Sequence, residues 1–302
     1  MSEPLADRVR ALAKERGALI LAHNYQLGEV QDVADFVGDS LELARKAAQA
    51  KAKLILFCGV HFMAETAKIL NPDAMVLMPD PNAGCPMANM LNARQLRRLK
   101  SEHPGAIVVT YVNSSAEVKA ESDVCCTSGN AVKVVASIPE TKEVIFVPDK
   151  SLGMYVESTL GRRMILYEGY CPTHHRITAE FVMRARKEHP NAKVVVHPEC
   201  TPDVQALADE VASTAGILRY AAETPYTEYI VGTENGLLHR LRKLHPQKRF
   251  YFVTHFADCP NMKLNTMEKM LWSLEDMQYE VTVPEDIAGR ARKALDRMLA
   301  VA

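Results

Sequence analysis

The 302-residue sequence contains no run approaching about 18 apolar residues, which argues against a bilayer-spanning helix. Its start, Met1 to Gly17, is charged and amphipathic, without an apolar segment or a small-residue cleavage pattern, so no secretory signal is expected. Neither sign of charge is in surplus: 36 Lys and Arg face 37 Asp and Glu, for a formal net charge of −1. A protein held on nucleic acid or on an anionic membrane by bulk charge would carry a basic excess. No local Cys-x-x-Cys pair of the kind common in structural zinc sites occurs. Linkers, charge blocks and low-complexity segments are also missing. These absences point to a cytoplasmic protein with no nucleic-acid or membrane partner. The composition, 48% apolar and 24% charged, is that of a soluble globular chain forming one large domain or two to three small ones. In a chain without a secretory signal, the seven cysteines read as thiols, catalytic residues or metal ligands rather than a disulfide framework.

Three of those cysteines precede proline and sit 86 and 88 residues apart: Cys85-Pro86, Cys171-Pro172 and Cys259-Pro260. Proline makes up about 5% of an average chain, so three such pairs are rare by chance. Other residues share the spacing. His23, Tyr111 and His197 recur at 88 and 86, as do Ser40, Ser128 and Thr214, and Asp35, Asp123 and Asp209. The chain therefore reads as three copies of a unit of about 87 residues, a period of repeated small domains rather than of a solenoid of hairpins.

Each unit opens with an apolar run expected to be a buried parallel strand: Leu19–Leu21, Ile107–Val109 and Val194–Val196. A polar triplet follows each run: His23-Asn24-Tyr25, Tyr111-Val112-Asn113 and His197-Pro198-Glu199. Just past the C-terminal ends of parallel strands is where open α/β folds place ligands. Next come the recurring Asp, read as structural, a brief strand and the recurring Ser or Thr. Apolar residues then fall at helical spacing, as in Leu43, Ala44 and Ala47. This makes Ser40, Ser128 and Thr214 helix N-caps or first-turn residues. A third strand (Leu54–Phe57, Val144–Val147, Tyr229–Val231) and a fourth (Met75–Met78, Met164–Tyr167, Phe250–Val253) complete the unit, with Cys-Pro in the loop after the fourth. The expected fold class is α/β: three repeated α/β/α sandwich domains with parallel sheets around a pseudo-threefold axis. The expected boundaries are 1–86, 87–172 and 173–274. A tail, 275–302, should pack back on the first unit, with a strand at Val281–Val283 and a helix from Pro284.

Strand C-termini facing a common axis would bring Cys85, Cys171 and Cys259 together. Buried loop cysteines are the plain alternative, but Cys58, Cys125, Cys126 and Cys200 have no equivalents in the other units and serve as the internal contrast. Soft thiolates suit an iron–sulfur cluster. Three cysteines related by threefold symmetry would bind three irons of a [4Fe–4S] cube and leave the fourth open as a Lewis acid. Proline after each cysteine restricts the loop.

Taken together, the motifs resemble quinolinate synthase, the A protein of the bacterial and archaeal route to NAD. The resemblance spans essentially the whole chain. It rests on Leu21-Ala-His-Asn-Tyr25, Val37-Gly-Asp-Ser40, Cys85-Pro-Met-Ala-Asn89, Tyr111-Val-Asn113, Cys126-Thr-Ser128 through Val132, Cys171-Pro-Thr-His174, His197-Pro-Glu199 and Asn261-Met262 after Cys259. Ala212 stands where the family pattern has glycine. The resemblance implies a three-domain α/β/α fold, a [4Fe–4S] cluster on three cysteines, and condensation of iminoaspartate with dihydroxyacetone phosphate to quinolinate, phosphate and water. A transient coupling to the L-aspartate oxidase or dehydrogenase that makes iminoaspartate goes with it.

The residues fit that chemistry. Hydroxyls at helix starts, Ser40, Ser128 and Thr214 with neighbouring Ser213, suit the two carboxylates and one phosphate of the reactants. Plain capping is the alternative and does not exclude that role. Glu199 is the candidate general acid/base for enolisation, imine formation and dehydration. His23 and His197 could bind a substrate carboxylate or shuttle protons, and Tyr25 and Tyr111 could donate to an enolate or hydroxyl. Asn113 could orient substrate, and His174 could face the cluster or solvent. Two rival readings use the same cysteines: a diphthamide-synthase-like radical enzyme and an iron–sulfur redox sensor. The histidine-containing triplets favour the first reading over the former, and the lack of a DNA-binding motif or basic patch counts against the latter.

Overall fold

Apolar runs become the inner strands of three sheets. The computed structural model describes residues 4–301, so the outermost residues of the first unit and of the tail lie outside the described residues. The first sheet holds β1 (Ala18–His23), β2 (Phe36–Gly38), β3 (Leu54–Cys58) and β4 (Met75–Leu77) in the order β2-β1-β3-β4. The second holds β5 (Ile107–Tyr111), β6 (Val124–Cys126), β7 (Val144–Val147) and β8 (Ile165–Leu166) in the order β6-β5-β7-β8. The third holds β9 (Lys193–Val196), β10 (Glu210–Val211), β11 (Glu228–Gly232) and β12 (Arg249–Phe252) in the order β10-β9-β11-β12. All neighbours within the sheets are parallel, and the same order occurs three times. The chain is thus an α/β fold of three repeated units. Helices cover the sheets, which is why β3 is buried at every residue and reads as an unbroken apolar run.

The recurring aspartates are structural. Asp35 Oδ2 accepts the Ile20 N–H at 2.7 Å, Asp123 Oδ2 the Val108 N–H at 2.8 Å, and Asp209 Oδ2 the Val194 N–H at 2.8 Å. Each aspartate also returns its own N–H to the carbonyl of the same strand residue. The pair of bonds ties the short second strand to the first strand of its unit, satisfying edge groups that would otherwise lack partners.

Two of the three helix starts fall as expected, and the one after Ser128 does not. The helix Ser40–Gln49 is capped by Asp39, whose Oδ1 accepts from Leu41 and Glu42, while Glu42 returns to the Asp39 N–H in a capping box. The helix Thr214–Glu223 is capped by Ser213. Ser128 lies in a turn before the helix Ala131–Ala136, and Thr127 Oγ1 accepts the Gly129 N–H there. Ser40 and Thr214 are first-turn residues, and Ser128 is neither cap nor first turn. The row Asp39, Thr127, Ser213 carries the local bonds, which leaves the next residue's hydroxyl free to face inward.

The tail also departs from expectation. Val281–Val283 is not a strand; only Glu280 bridges Leu77, antiparallel, beside the edge of β4. The helix Met267–Asp276 packs on the N-terminal helix Leu5–Arg16 through Met267, Met270, Leu271 and Leu274 against Val9 and Ala13. The last helix, Glu285–Ala300, reaches beyond the first unit. It meets Ile69 through Arg292 and the second unit through Arg290 to Glu121 (3.0 Å), Arg297 to the Asp123 carbonyl (2.7 Å) and Asn130 to the Met298 carbonyl (3.3 Å). Its apolar stripe, Ala291, Ala294, Leu295 and Met298, is fully buried, so the terminal helix acts as a brace between two units. Among the described residues, no helix is long and apolar enough to cross a membrane.

Candidate active site

The C-terminal strand ends of the three sheets converge on one cavity. Its lining draws on all three units: His23, Tyr25 and Ser40; Tyr111, Asn113 and Ser128; His174, His197, Glu199 and Thr214; and the sulfur-bearing Cys85, Cys171 and Cys259. Of the residues singled out in sequence, only Ser213 is absent from the wall, because its hydroxyl is spent on the Gly216 N–H.

Glu199 sits at the centre of a buried network and is 3% exposed. Its Oε2 lies 3.0 Å from His174 Nδ1 and 3.2 Å from His197 Nδ1, while Oε1 has no hydrogen-bond partner. Burial would raise the carboxyl's proton affinity, but the two imidazoles outweigh it and hold Glu199 well below the usual carboxylate range. The ionised Glu199 accepts from His174 Nδ1–H; His174 Nε2 lies 2.9 Å from Thr233 Oγ1, which shares a hydrogen bond of 2.7 Å with the Tyr25 hydroxyl. The His174 and His197 rings stack at 4.6 Å, and His197 Nε2 reaches the Ser128 hydroxyl at 3.1 Å.

His23 and His197 hold equivalent places, and each faces the peptide N–H two residues on: Tyr25 N–H to His23 Nδ1 at 3.2 Å, Glu199 N–H to His197 Nδ1 at 3.3 Å. For His23 this puts the ring proton on Nε2. Burial, and then the neighbouring His197, push the His23 imidazole down to about 3, so it is neutral at physiological pH. Burial and the Glu199 charge push the Tyr25 and Tyr111 phenols well above their ordinary value, so both stay protonated donors. Asn113 Oδ1 is buried without a partner.

The three cysteine loops are alike. Each cysteine carbonyl accepts from the residue four on: Cys85 from Asn89 at 3.3 Å, Cys171 from His175 at 3.0 Å, Cys259 from Lys263 at 3.3 Å. The main-chain N–H three residues on, from Ala88, His174 and Met262, is drawn toward each sulfur. Burial pushes all three thiols up, Cys85 to about 12, which is the state a metal must reverse to bind them. The other four cysteines are fully buried in the cores, away from the cavity.

A family model described as Quinolinate synthetase A protein matches residues 7–300. The chain belongs to that family. It is 57% identical over 299 residues to a quinolinate synthase of Dehalococcoides mccartyi (strain CBDB1), covering 99% of both chains. It is 55% identical over 297 residues to a quinolinate synthase of Methanosarcina barkeri (98% of this chain, 97% of the relative), and 52% identical over 294 residues to one of Thermodesulfovibrio yellowstonii (97% of each). The chain is an enzyme, and its cavity wall has donors for a metal group. Cys171 Sγ, His174 Nδ1 and a Glu199 oxygen lie within 4.8 Å of one another. The separations in that set, 3.0 Å from His174 to Glu199 and 3.1 Å to Cys171, are those of hydrogen bonds. The three cysteine loops are the better match to a soft, sulfur-rich group, because they bring three equivalent sulfurs to one wall.

Several lining residues were not anticipated from sequence: Asp39, Thr127, Thr173, Glu234 and Met262, together with Thr233 behind the wall. Asp39 and Thr127 were findable, since they precede the recurring hydroxyls by one residue and share their spacing. Glu234 is fully buried and paired with Lys263 at 2.8 Å.

Proposed function

We propose that the chain is a quinolinate synthase of NAD biosynthesis, condensing iminoaspartate with dihydroxyacetone phosphate to quinolinate, phosphate and two waters. Near-full-length relatives of that name support it. The observation that carries it is the convergence of polar triplets, helix-start hydroxyls and three equivalent thiols on a single cavity. In this reading Cys85, Cys171 and Cys259 hold a [4Fe–4S] cluster, and when bound it supplies an open iron as a Lewis acid for a substrate oxygen or water.

The chain's own residues do the remaining work. Ser40, Ser128 and Thr214 bind the anionic groups of the reactants, with Ser213 supporting Thr214 as its cap. Glu199 moves protons: Oε2 is held by two imidazoles, and the unpartnered Oε1 is the basic atom. His174 and Thr233 connect Glu199 to the Tyr25 hydroxyl, a route for returning a proton. Tyr25 and Tyr111, kept protonated, donate to a developing enolate or departing hydroxyl. Neutral His23 donates through Nε2–H to a substrate carboxylate, His197 orients Glu199, and the Asn113 amide fixes substrate orientation. The substrates are small molecules of the cytoplasm, with transient coupling to the L-aspartate oxidase or dehydrogenase that makes iminoaspartate.

The test is anaerobic reconstitution with iron and sulfide, followed by assay with both substrates. Quinolinate should form only when both are present. Iron-loaded protein that makes none would sink the reading.

A further inference from the structure

We propose that two buried carboxylates, Glu234 and Asp149, are the positioning residues of the Cys259 and Cys171 loops; their meaning for a cluster rests on the reading above.

The two acids occupy one place in the repeat. Leu19 pairs with Ile55, Ile107 with Val144, and Lys193 with Tyr229, which aligns the third strands of the three units. Five residues past those partners stand Val60, Asp149 and Glu234. The residue after each makes the same main-chain bond: His61 N–H to the Ala83 carbonyl (2.8 Å), Lys150 N–H to Gly169 (2.8 Å), and Asn235 N–H to Ala257 (3.2 Å). Every acceptor lies two residues before its cysteine. Each unit therefore clamps its cysteine loop to the end of its own third strand.

Carboxylates stand at that clamp in two units. Glu234 Oε1 accepts the Cys259 N–H at 3.0 Å and Lys263 Nζ at 2.8 Å, and its Oε2 accepts the Gly236 N–H at 2.7 Å. Lys263 Nζ also donates to the Tyr25 carbonyl at 2.6 Å, so the Cys259 loop is tied to the triplet of the first unit. Asp149 Oδ1 caps the helix Lys150–Leu160 through the Leu152 N–H at 2.7 Å. Its Oδ2 is buried without a hydrogen-bond partner, and Asp149 forms a parallel bridge with Gly169, two residues before Cys171. Val60 offers no such group, and the Cys85 loop is held from the third unit, by Asn261 Nδ2 on the Gly84 carbonyl at 2.6 Å. Burying a carboxylate is costly unless it is bonded. For Glu234 the compensation comes partly from the peptide of Cys259, on the cavity wall; for Asp149 it comes from its own helix start, next to the bridge to the Cys171 loop.

The test uses Glu234→Gln and Asp149→Asn, both isosteric. Asn keeps the capping oxygen of Asp149 but turns an amide donor toward the Cys171 loop. Gln at 234 sets a donor against one of two N–H groups. In the full chain without metal, brief alkylation read by mass spectrometry should label Cys259 about tenfold faster in Glu234→Gln, and Cys171 about tenfold faster in Asp149→Asn. Cys85 should keep its wild-type rate in both, and core Cys58 and Cys125 should stay unlabelled. After anaerobic reconstitution, iron release to a chelator should be about tenfold faster in either variant. Glu65→Gln, which alters a buried carboxylate bonded to the Ala116 N–H rather than to a cysteine loop, should release at the wild-type rate. Wild-type rates in both variants would overturn the proposal. So would labelling of Cys58 and Cys125 along with the loops, because the carboxylates would then hold the whole fold and not the loops. A wild-type chain that takes up no iron, with the loop-specific labelling as expected, would remove the cluster reading and leave the positioning role standing.

Discussion

Asp35, Asp123 and Asp209 form one row of the repeat, and the triplets opening with His23, Tyr111 and His197 form another. The first row is the same residue three times, and each copy bonds the first strand of its own unit. The second row is mixed. The difference is one of environment. A side chain bonded within its own unit meets the same backbone three times. A side chain facing the shared cavity meets whatever occupies the middle, and the reactants of the proposed reaction, an imino diacid and a phosphate ester, have no threefold symmetry. The cysteines are identical although they face the centre. That is the expected exception if they hold a group that is itself threefold along that axis.

Three predictions test this contrast, and the largest effect belongs to the cysteines. Cys85→Ser, Cys171→Ser and Cys259→Ser should each abolish both the visible charge-transfer absorbance of the reconstituted protein and quinolinate formation. Alanine at Cys58, Cys125, Cys126 or Cys200 should leave both largely intact. A dispensable Cys85 would break the symmetry argument. Next comes the mixed row. Glu199→Gln should lower turnover by about a hundred- to ten-thousand-fold, the usual cost of removing a general acid/base. Iron content should be unchanged and substrate binding retained, with Glu210→Gln as the neutral comparison. Near-normal turnover would move the base elsewhere in the network. The smallest effect is expected in the uniform row. Asp123→Ala leaves the Val108 N–H without its partner and should cost about 1–3 kcal/mol of stability, measured by denaturant unfolding. Turnover per folded molecule should hold at its wild-type value, and a loss of turnover exceeding the loss of folded protein would give that row a catalytic part.

Much of the molecule was determined by local pattern and period. Unbroken apolar runs specify strands buried on both faces, as β3, β7 and β9 confirm. The repeat of cysteines, hydroxyls and triplets named most of the cavity wall before any coordinate was known, because an equivalent position in a repeated fold has an equivalent place in space. What the tertiary structure alone decided are the pairings across units. Tyr25 meets Thr233 across 208 positions and Lys263 meets the Tyr25 carbonyl across 238, separations at which sequence carries no trace of contact. The caps fell on Asp39 and Ser213 and not on the next residue, since adjacent polar side chains compete for the same N–H groups and only the backbone angles choose between them. The last helix was expected against the first unit, and it reaches the second as well. An amphipathic face states that it must be buried, and the packing of the other elements determines against what.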